Sequence, residues 1–356
     1  MNYTKDCINT NTANNKTVSA YSRENKTQTD VCVFSSPAIS LTTYKTVVDN
    51  TKNHPDFIPK YYGLNSFDYN TVQMKLERQM HFLARSYIYD KLSNNKIPLS
   101  TITFSANINP NRYYSEIQNR INTLVNEAKS KNLQPIFMTL TLPSQYHQMK
   151  YNKKTKKLIP NPKYNNTPPK QSVKELTKMF AKLRHDRSLK ELTKDERIYY
   201  RVNEPHKDGT PHTHILLYIP KESVARVVKA FTRLFNTKAN DIQTDINNPT
   251  AYIMKYINKT LPLSKQENLS EKDRYLNAWY SKNRIIRFNS SRTLAPLKLY
   301  RLLYTRYTLQ ELTRAVNNKE LQIFVLADDR TKIMEIFDGD EMLYCKAENF
   351  VLKKAS

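Results

Sequence analysis

The stretch Glu204-Pro205-His206-Lys207-Asp208-Gly209-Thr210-Pro211-His212-Thr213-His214 runs directly into the apolar segment Ile215-Leu216-Leu217-Tyr218-Ile219. Asp208-Gly209 is a turn signal between two runs of strand character, Arg197 to Asn203 and His212 to Ile219, so the segment reads as a β-hairpin. Strand side chains alternate faces, which points His212 and His214 the same way, about 7 Å apart by the rise of two residues. Folding back at the turn brings Glu204 roughly opposite His212 on the neighbouring strand. Two imidazoles and a carboxylate then converge. Borderline metals accept imidazole and Mg²⁺ or Mn²⁺ favours carboxylate oxygen, so the set suits a divalent cation with positions left open. A His-x-His on a strand is equally the pattern of an exposed or hydrogen-bonded pair. Three features lean the other way: Gly209 is one of only three glycines in the chain, an acid lies across the turn, and a tyrosine pair follows downstream.

That pair lies on a predicted helix. Asn248 caps and Pro249 occupies the first turn of Thr250 to Lys259. Tyr252, Lys255, Tyr256 and Lys259 fall at i, i+3, i+4 and i+7 and share one face, while Ile253, Ile257 and Leu261 form a separate apolar stripe. A phenol is a poor nucleophile while protonated, with a pKa near 10, and a neighbouring ammonium stabilises the phenolate that must attack. Two tyrosines one turn apart can reach one phosphate in succession. Taken alone, the same spacing describes an amphipathic helix with tyrosine in the core.

The chain has 356 residues, enough for two domains or one elaborated one. Its 57 Lys and Arg against 32 Asp and Glu leave a net charge of +25, which points to a polyanionic partner, nucleic acid ahead of a membrane surface. No apolar run approaches the ~18 residues of a membrane span, and the polar N-terminus has no secretory pattern. A soluble protein of the cell interior is expected. Cys7, Cys32 and Cys345 share no metal-like spacing, which indicates neither a disulfide framework nor a zinc knuckle.

Residues 1 to about 40 are polar and read as a flexible arm. Helices are expected from Val72 to Leu92 and from Tyr113 to Lys131, with a strand at Thr101 to Ala106 between them. Pro135 to Pro143 reads as a central strand with Thr139 and Thr141 on one face, placed either to hydrogen-bond a phosphate or to satisfy backbone groups. A basic, proline-rich loop follows from Tyr146 to Lys170. Its Lys153 and Lys154 are candidates for contact with a phosphate backbone, a solvated insertion being the alternative. Ser172 and Glu175 look like a capping box opening a helix to Leu183. Further helices are expected at Lys221 to Phe235, Ser264 to Tyr280 and Pro296 to Asn317. A short strand is expected at Asp241 to Asp245, and a terminal hairpin pairs Leu321 to Leu326 with Lys332 to Phe337 around Asp328-Asp329.

Phe137-Met138-Thr139-Leu140-Thr141-Leu142, the element Glu204 to His214, and Tyr252-Ile253-Met254-Lys255-Tyr256 together resemble the three ordered motifs of HUH endonucleases. The closest likeness is to the two-tyrosine replication endonucleases of rolling-circle phages, the phage replication A proteins. It covers roughly residues 135 to 260 and continues more weakly through Arg287-Phe288-Asn289-Ser290-Ser291-Arg292. Thr213 departs from the hydrophobic residue that the family name implies between the histidines, but its side chain points away from the metal. The resemblance implies an α+β fold, an antiparallel sheet flanked by helices with helical N- and C-terminal extensions. Combined with the reading of the flanking sequence, it divides the chain into a polar, partly flexible arm at 1–70, a helical region at 71–132, the nuclease core at 133–262, a helical region at 263–318 and a β-hairpin region at 319–356.

It further implies Mg²⁺ or Mn²⁺ on Glu204, His212 and His214, nucleophiles at Tyr252 and Tyr256 and an assisting Lys255; the residue pattern itself offers Thr139, Thr141, Lys259, Lys153 and Lys154 as candidate DNA contacts. The implied activity is nicking of single-stranded origin DNA in a bacterial cytoplasm, with a 5′-phosphotyrosine link and a 3′-OH for a host polymerase. No phosphate-binding Gly-x-x-x-x-Gly-Lys run is present, so unwinding would fall to a host helicase. A two-tyrosine transposase keeps the same motif order, a relaxase more often places its tyrosine first, and a non-catalytic basic nucleic-acid-binding protein would use these residues structurally.

Overall fold

The computed structural model describes residues 58–91, 93–261, 268–346 and 350–354. Residues 1–57 of the expected N-terminal arm, with Cys7 and Cys32, lie outside them, while residues 66–70 of the arm belong to a helix. In chain order the elements begin with α1 (Ser66–Ala84), β1 (Ser86–Asp90), β2 (Lys96–Pro98), α2 (Leu99–Ile102), α3 (Pro110–Ser130) and β3 (Gln134–Thr141). They continue with β4 (Met149–Asn152), β5 (Lys157–Pro160), α4 (Pro169–His185), α5 (Arg187–Lys190), β6 (Ile198–Pro205), β7 (Pro211–Ile219), α6 (Val224–Leu234) and β8 (Asp241–Gln243). Next come α7 (Pro249–Thr260), α8 (Glu271–Asn283), β9 (Phe288–Ser290), α9 (Leu297–Leu302) and α10 (Leu309–Asn317). The last strands are β10 (Leu321–Val325), β11 (Ile333–Asp338), β12 (Glu341–Cys345) and β13 (Phe350–Lys354).

The centre is a five-stranded sheet in the order β8-β3-β7-β6-β9, antiparallel at every pairing. The fold is therefore α+β, an antiparallel sheet flanked by helices. Strand alternation sorts its residues into two cores. Phe137, Tyr200, Val202, Leu216 and Tyr218 face α3 and α7. Ile136, Met138, Leu140, Ile215, Leu217 and Ile219 face α4 and α6. β7 is buried along its whole length because both its faces are covered. No helix among the described residues is long and apolar enough to cross a membrane.

Several local expectations are corrected. The first helix ends at Ala84, and Ser86-Tyr87-Ile88-Tyr89-Asp90 form a strand that pairs with β13 near the other end of the chain. Thr101 and Ile102 belong to a short helix that follows Pro98, and no strand forms over residues 101–106. Pro168-Pro169 start α4 three residues ahead of Ser172, which is buried inside the first turn and caps nothing. The basic loop contains the hairpin β4-β5, with Lys153 and Lys154 exposed in its turn. Pro296 to Asn317 is broken in two, because Thr308 and Glu311 form a capping box that opens α10 afresh. The predicted terminal hairpin is present as β10 and β11, and β12 extends its sheet. Of Ser264 to Tyr280, residues 264–267 lie outside the described set and the helix begins at Glu271.

Candidate metal centre and tyrosine helix

The β6-β7 register places Glu204 opposite His212 and Val202 opposite His214. The turn is closed by His206 N–H donating to the Thr210 carbonyl at 2.8 Å and Gly209 N–H to that of His206 at 2.9 Å. Gly209 sits at φ +86°, and a Cβ there would meet the Tyr62 carbonyl, so glycine is required twice over. From the other side the buried Trp279 indole donates to the Gly209 carbonyl at 3.0 Å, pinning the turn to α8. Thr213, between the histidines, points to the opposite sheet face and donates to Asn203 Oδ1 at 2.8 Å. Its hydroxyl is thereby satisfied inside the core.

One ligand atom each from Glu204, His212 and His214 can be drawn from a group spanning no more than 4.8 Å, and all three residues are buried. Glu204 Oε2 lies 3.6 Å from His212 Nε2 and 3.3 Å from His214 Nε2, while Oε1 faces the Lys259 ammonium as an ion pair. Thr139, opposite His214 in the register, holds its Nδ1 at 3.1 Å, which leaves Nε2 turned toward the carboxylate. Among the described residues, His214 Nε2 and His212 Nδ1 are buried without a hydrogen-bond partner. Burial lowers the His214 pKa to about 4, so its imidazole is neutral at pH 7 and offers a lone pair. Burial works to raise the Glu204 pKa, but the adjacent His212, His214 and Lys259 outweigh it and hold the carboxyl well below its usual range. A neutral His214 nitrogen and the His212 imidazole beside an ionised carboxylate, with buried valences unfilled, fit a divalent cation.

The tyrosine helix approaches the same sheet face. Asn248 Oδ1 accepts from Ala251 N–H at 2.9 Å, and the buried stripe Ile253, Ile257, Leu261 seats α7 against the core. Tyr256 lies on His214 with ring centroids 3.8 Å apart, and Tyr252 is 5.8 Å from Tyr256. Phe137 supports both, at 4.5 Å from Tyr252 and 5.5 Å from Tyr256, and is 5.6 Å from His214. Burial pushes the Tyr256 phenol well above its usual pKa, with Tyr252 and the Glu204 charge adding to the rise. The Tyr252 hydroxyl donates to Gln243 Oε1 on β8 at 3.3 Å.

The sheet and helix thus bring together Glu204, His212, His214, Tyr256 and Lys259, with Thr139 and Tyr252 adjoining them. Lys255 is exposed and enters no ion pair among the described residues. Thr141 is buried opposite His212, its backbone N–H donating to Asn240. Lys153 and Lys154 stand on the separate β4-β5 sheet. Residues the sequence reading did not assign also pack here. The His206 ring lies 4.1 Å from that of His212, and burial followed by repulsion from His212 and His147 lowers its pKa to about 3. His147 Nδ1 lies 3.1 Å from Asp208 Oδ2, fixing the turn from the β3-β4 connection. His206 and Asp208 were within the quoted stretch, but turn positions do not follow strand alternation. Phe137 carried no signal beyond being apolar.

The chain is 29% identical over 248 residues to a probable replication endonuclease from prophage-like region 1 of Salmonella typhi, covering 62% of this chain and 30% of that protein. It is 29% identical over 206 residues to the replication protein of Haemophilus phage HP1, covering 52% and 24%. Against the replication gene A protein of Escherichia phage 186 it is 30% identical over 203 residues, covering 52% and 28%. The chain thus spans less than a third of the length of these curated relatives. No solved structure matches it significantly. The sequence profile of the bacteriophage replication gene A protein matches residues 60–263, more than half of the chain and the whole of the hairpin and tyrosine helix, and the chain belongs to that family.

Proposed function

We propose that the protein initiates rolling-circle replication as an HUH-type endonuclease, nicking single-stranded origin DNA by tyrosine attack and later rejoining the strand. The observation that carries this reading is the Tyr256 ring lying on His214 at 3.8 Å, beside a buried Glu-His-His group with unfilled valences. Glu204, His212 and His214 would hold Mg²⁺ or Mn²⁺, which when bound supplies a Lewis acid for a phosphoryl oxygen. The remaining work belongs to the chain. Phe137 and His214 fix the two phenol rings, and α7 presents them one turn apart. A phenol oxygen forms the bond to phosphorus as the P–O3′ bond breaks, and the 3′ oxygen leaves with the electron pair. The phenol proton is lost and the 3′ oxygen gains one. The products are a 5′-phosphotyrosine and a 3′-OH.

The elevated Tyr256 pKa means that its phenolate must be stabilised during attack. The helix supplies two ammonium groups for this, Lys255 at the adjoining position and Lys259 at the cluster. Because the phosphotyrosine conserves the bond energy, rejoining needs no nucleotide. A host helicase would expose the strand and a host polymerase extend the 3′-OH.

The test is a denaturing gel of labelled single-stranded DNA from the protein's own locus incubated with Mn²⁺. A covalent band that requires metal and is lost in Tyr252→Phe/Tyr256→Phe and in His212→Ala is expected. Binding without any adduct on every locus substrate overturns the reading in favour of a non-catalytic DNA-binding protein.

A further inference from the structure

On the sheet face opposite the tyrosines, a cleft of about 550 Å³ lies between α4, β6 and the segment that follows β9. Arg184, Lys194, Arg197, Arg201 and Arg292 line it, and among the described residues no carboxylate does. The carboxylates nearest in sequence are committed elsewhere. Asp186 pairs with Arg233, Glu191 with Arg187 and Arg226, and Asp195 with Lys131. Glu196 folds back onto Thr193. Arg184 and Arg201 both lie over Phe180, with guanidinium carbons 5.5 and 5.2 Å from its ring centre. The Nε–H of each is buried without an acceptor. Arg197 differs, since it donates to the Leu189 carbonyl of α5 at 2.8 Å.

Two guanidiniums on one ring, each with a buried Nε–H and given no anion by the described residues, are costly unless an anion arrives from outside. Their repulsion is evident in the Arg201 pKa, which burial, and then the Arg184 charge, lower. Planar guanidiniums match the oxygens of phosphate better than those of most anions. Asn289, Ser290 and Ser291 add polar groups to the same wall, part of a motif for which the tyrosine chemistry has no use.

We propose that this cleft binds a phosphate group, and that its source is a phosphodiester of the DNA at a point away from the scissile one. The site itself stands apart from the nuclease reading, while the choice of DNA as the source rests on it. A strand or duplex arm held here would wrap the edge of the sheet carrying β9, anchoring DNA while the other face cuts and rejoins it.

The experiment uses the full chain carrying Tyr252→Phe and Tyr256→Phe, in chelator, so that neither cleavage nor metal contributes. Inorganic pyrophosphate is titrated by calorimetry, and single-stranded and hairpin DNA binding is measured as a function of salt. Arg201→Gln and the exposed Arg292→Gln are compared, the latter lying at the rim, where it does not disturb folding. Pyrophosphate binding weakened at least tenfold, with a salt slope for DNA smaller by about 1 for each arginine removed, is expected. Weakened pyrophosphate binding with an unchanged DNA slope overturns DNA as the source and assigns the cleft to a free nucleotide. Parent-like pyrophosphate binding and DNA slope in both variants overturns the phosphate site. A missing adduct in the cleavage assay, by contrast, bears on the function proposed above and on DNA as the source, and leaves the phosphate site standing.

Discussion

The two faces of the central sheet share strand β6 and carry opposite chemistry. Tyr200, Val202 and Glu204 look toward α3 and α7, where the carboxylate gathers two imidazoles and one lysine. Tyr199 and Arg201 look the other way, where guanidiniums gather with no carboxylate. A site poor in protons and holding an acid attracts a cation, and a site of unpaired arginines attracts an anion. Strand alternation alone keeps the two sets apart, although their residues are neighbours in sequence. The face that places the chemistry and the face that would anchor the polymer are therefore separately mutable.

The largest expected effects break the cation face and spare the other. Removing a ligand with Glu204→Ala or His212→Ala should lower adduct formation by more than the ~10–100-fold that loss of a supporting residue costs. Pyrophosphate binding should remain within twofold. Tyr256→Phe should suppress the first cut more than Tyr252→Phe, because Tyr256 is the phenol held on His214. Equal single-mutant losses on a gel would separate ring position from order of attack.

Gly209→Ala comes next. A side chain at φ +86° is strained and collides with the Tyr62 backbone, for a loss on the order of 2–4 kcal/mol. A thermal melt within 1 °C of the parent, on the order of measurement error, would mean that the turn relaxes and does not hold the ligand register.

How much of this could be read from sequence follows from how locally each feature is specified. The hairpin was legible because a glycine turn and a two-residue alternation fix the register in a dozen consecutive positions, and Glu204 does stand opposite His212. The tyrosine helix was legible because its cap, proline and spacing all lie within Asn248 to Lys259. The arginine cleft was not, since Arg184, Arg201 and Arg292 come from three separate segments joined only by the β6-β9 pairing and α4 packing. The same holds for β13 with β1, whose partners are separated by most of the chain. Ser172 misled for a different reason. Its capping pattern was real, but Pro168-Pro169 supply fixed backbone angles earlier and win the helix start.

Acid provides a smaller, graded test of the cation face. The His214 pKa of about 4 lies below the unfolded value of about 6.5, so the unfolded chain binds protons more readily between them. The stability that the neutral imidazole contributes is complete above pH 6.5, is lost as pH falls toward 4, and changes little below. Its size is on the order of 3 kcal/mol for this one group. Urea unfolding in chelator should show the midpoint falling from pH 7 to 4.5, with a shallower fall in His214→Asn. A midpoint that is flat over this range would mean that the cluster is not closed to water in the metal-free chain.

The finest distinction concerns Thr139, which the sequence offered as a DNA contact and the structure sets at 3.1 Å from His214 Nδ1. If its role is to fix the imidazole so that Nε2 faces Glu204, Thr139→Val keeps the shape and removes only the hydroxyl. Mn²⁺ affinity should then fall about tenfold, the lower end of the cost of losing a supporting hydrogen bond to a metal-binding histidine. DNA affinity measured in chelator should keep the parental salt slope, because no charge facing phosphate has been removed. The reverse result, unchanged Mn²⁺ affinity with weaker DNA binding, would return Thr139 to the phosphate. It would also place part of the polymer contact on the cation face, blurring the division of labour that β6 otherwise imposes.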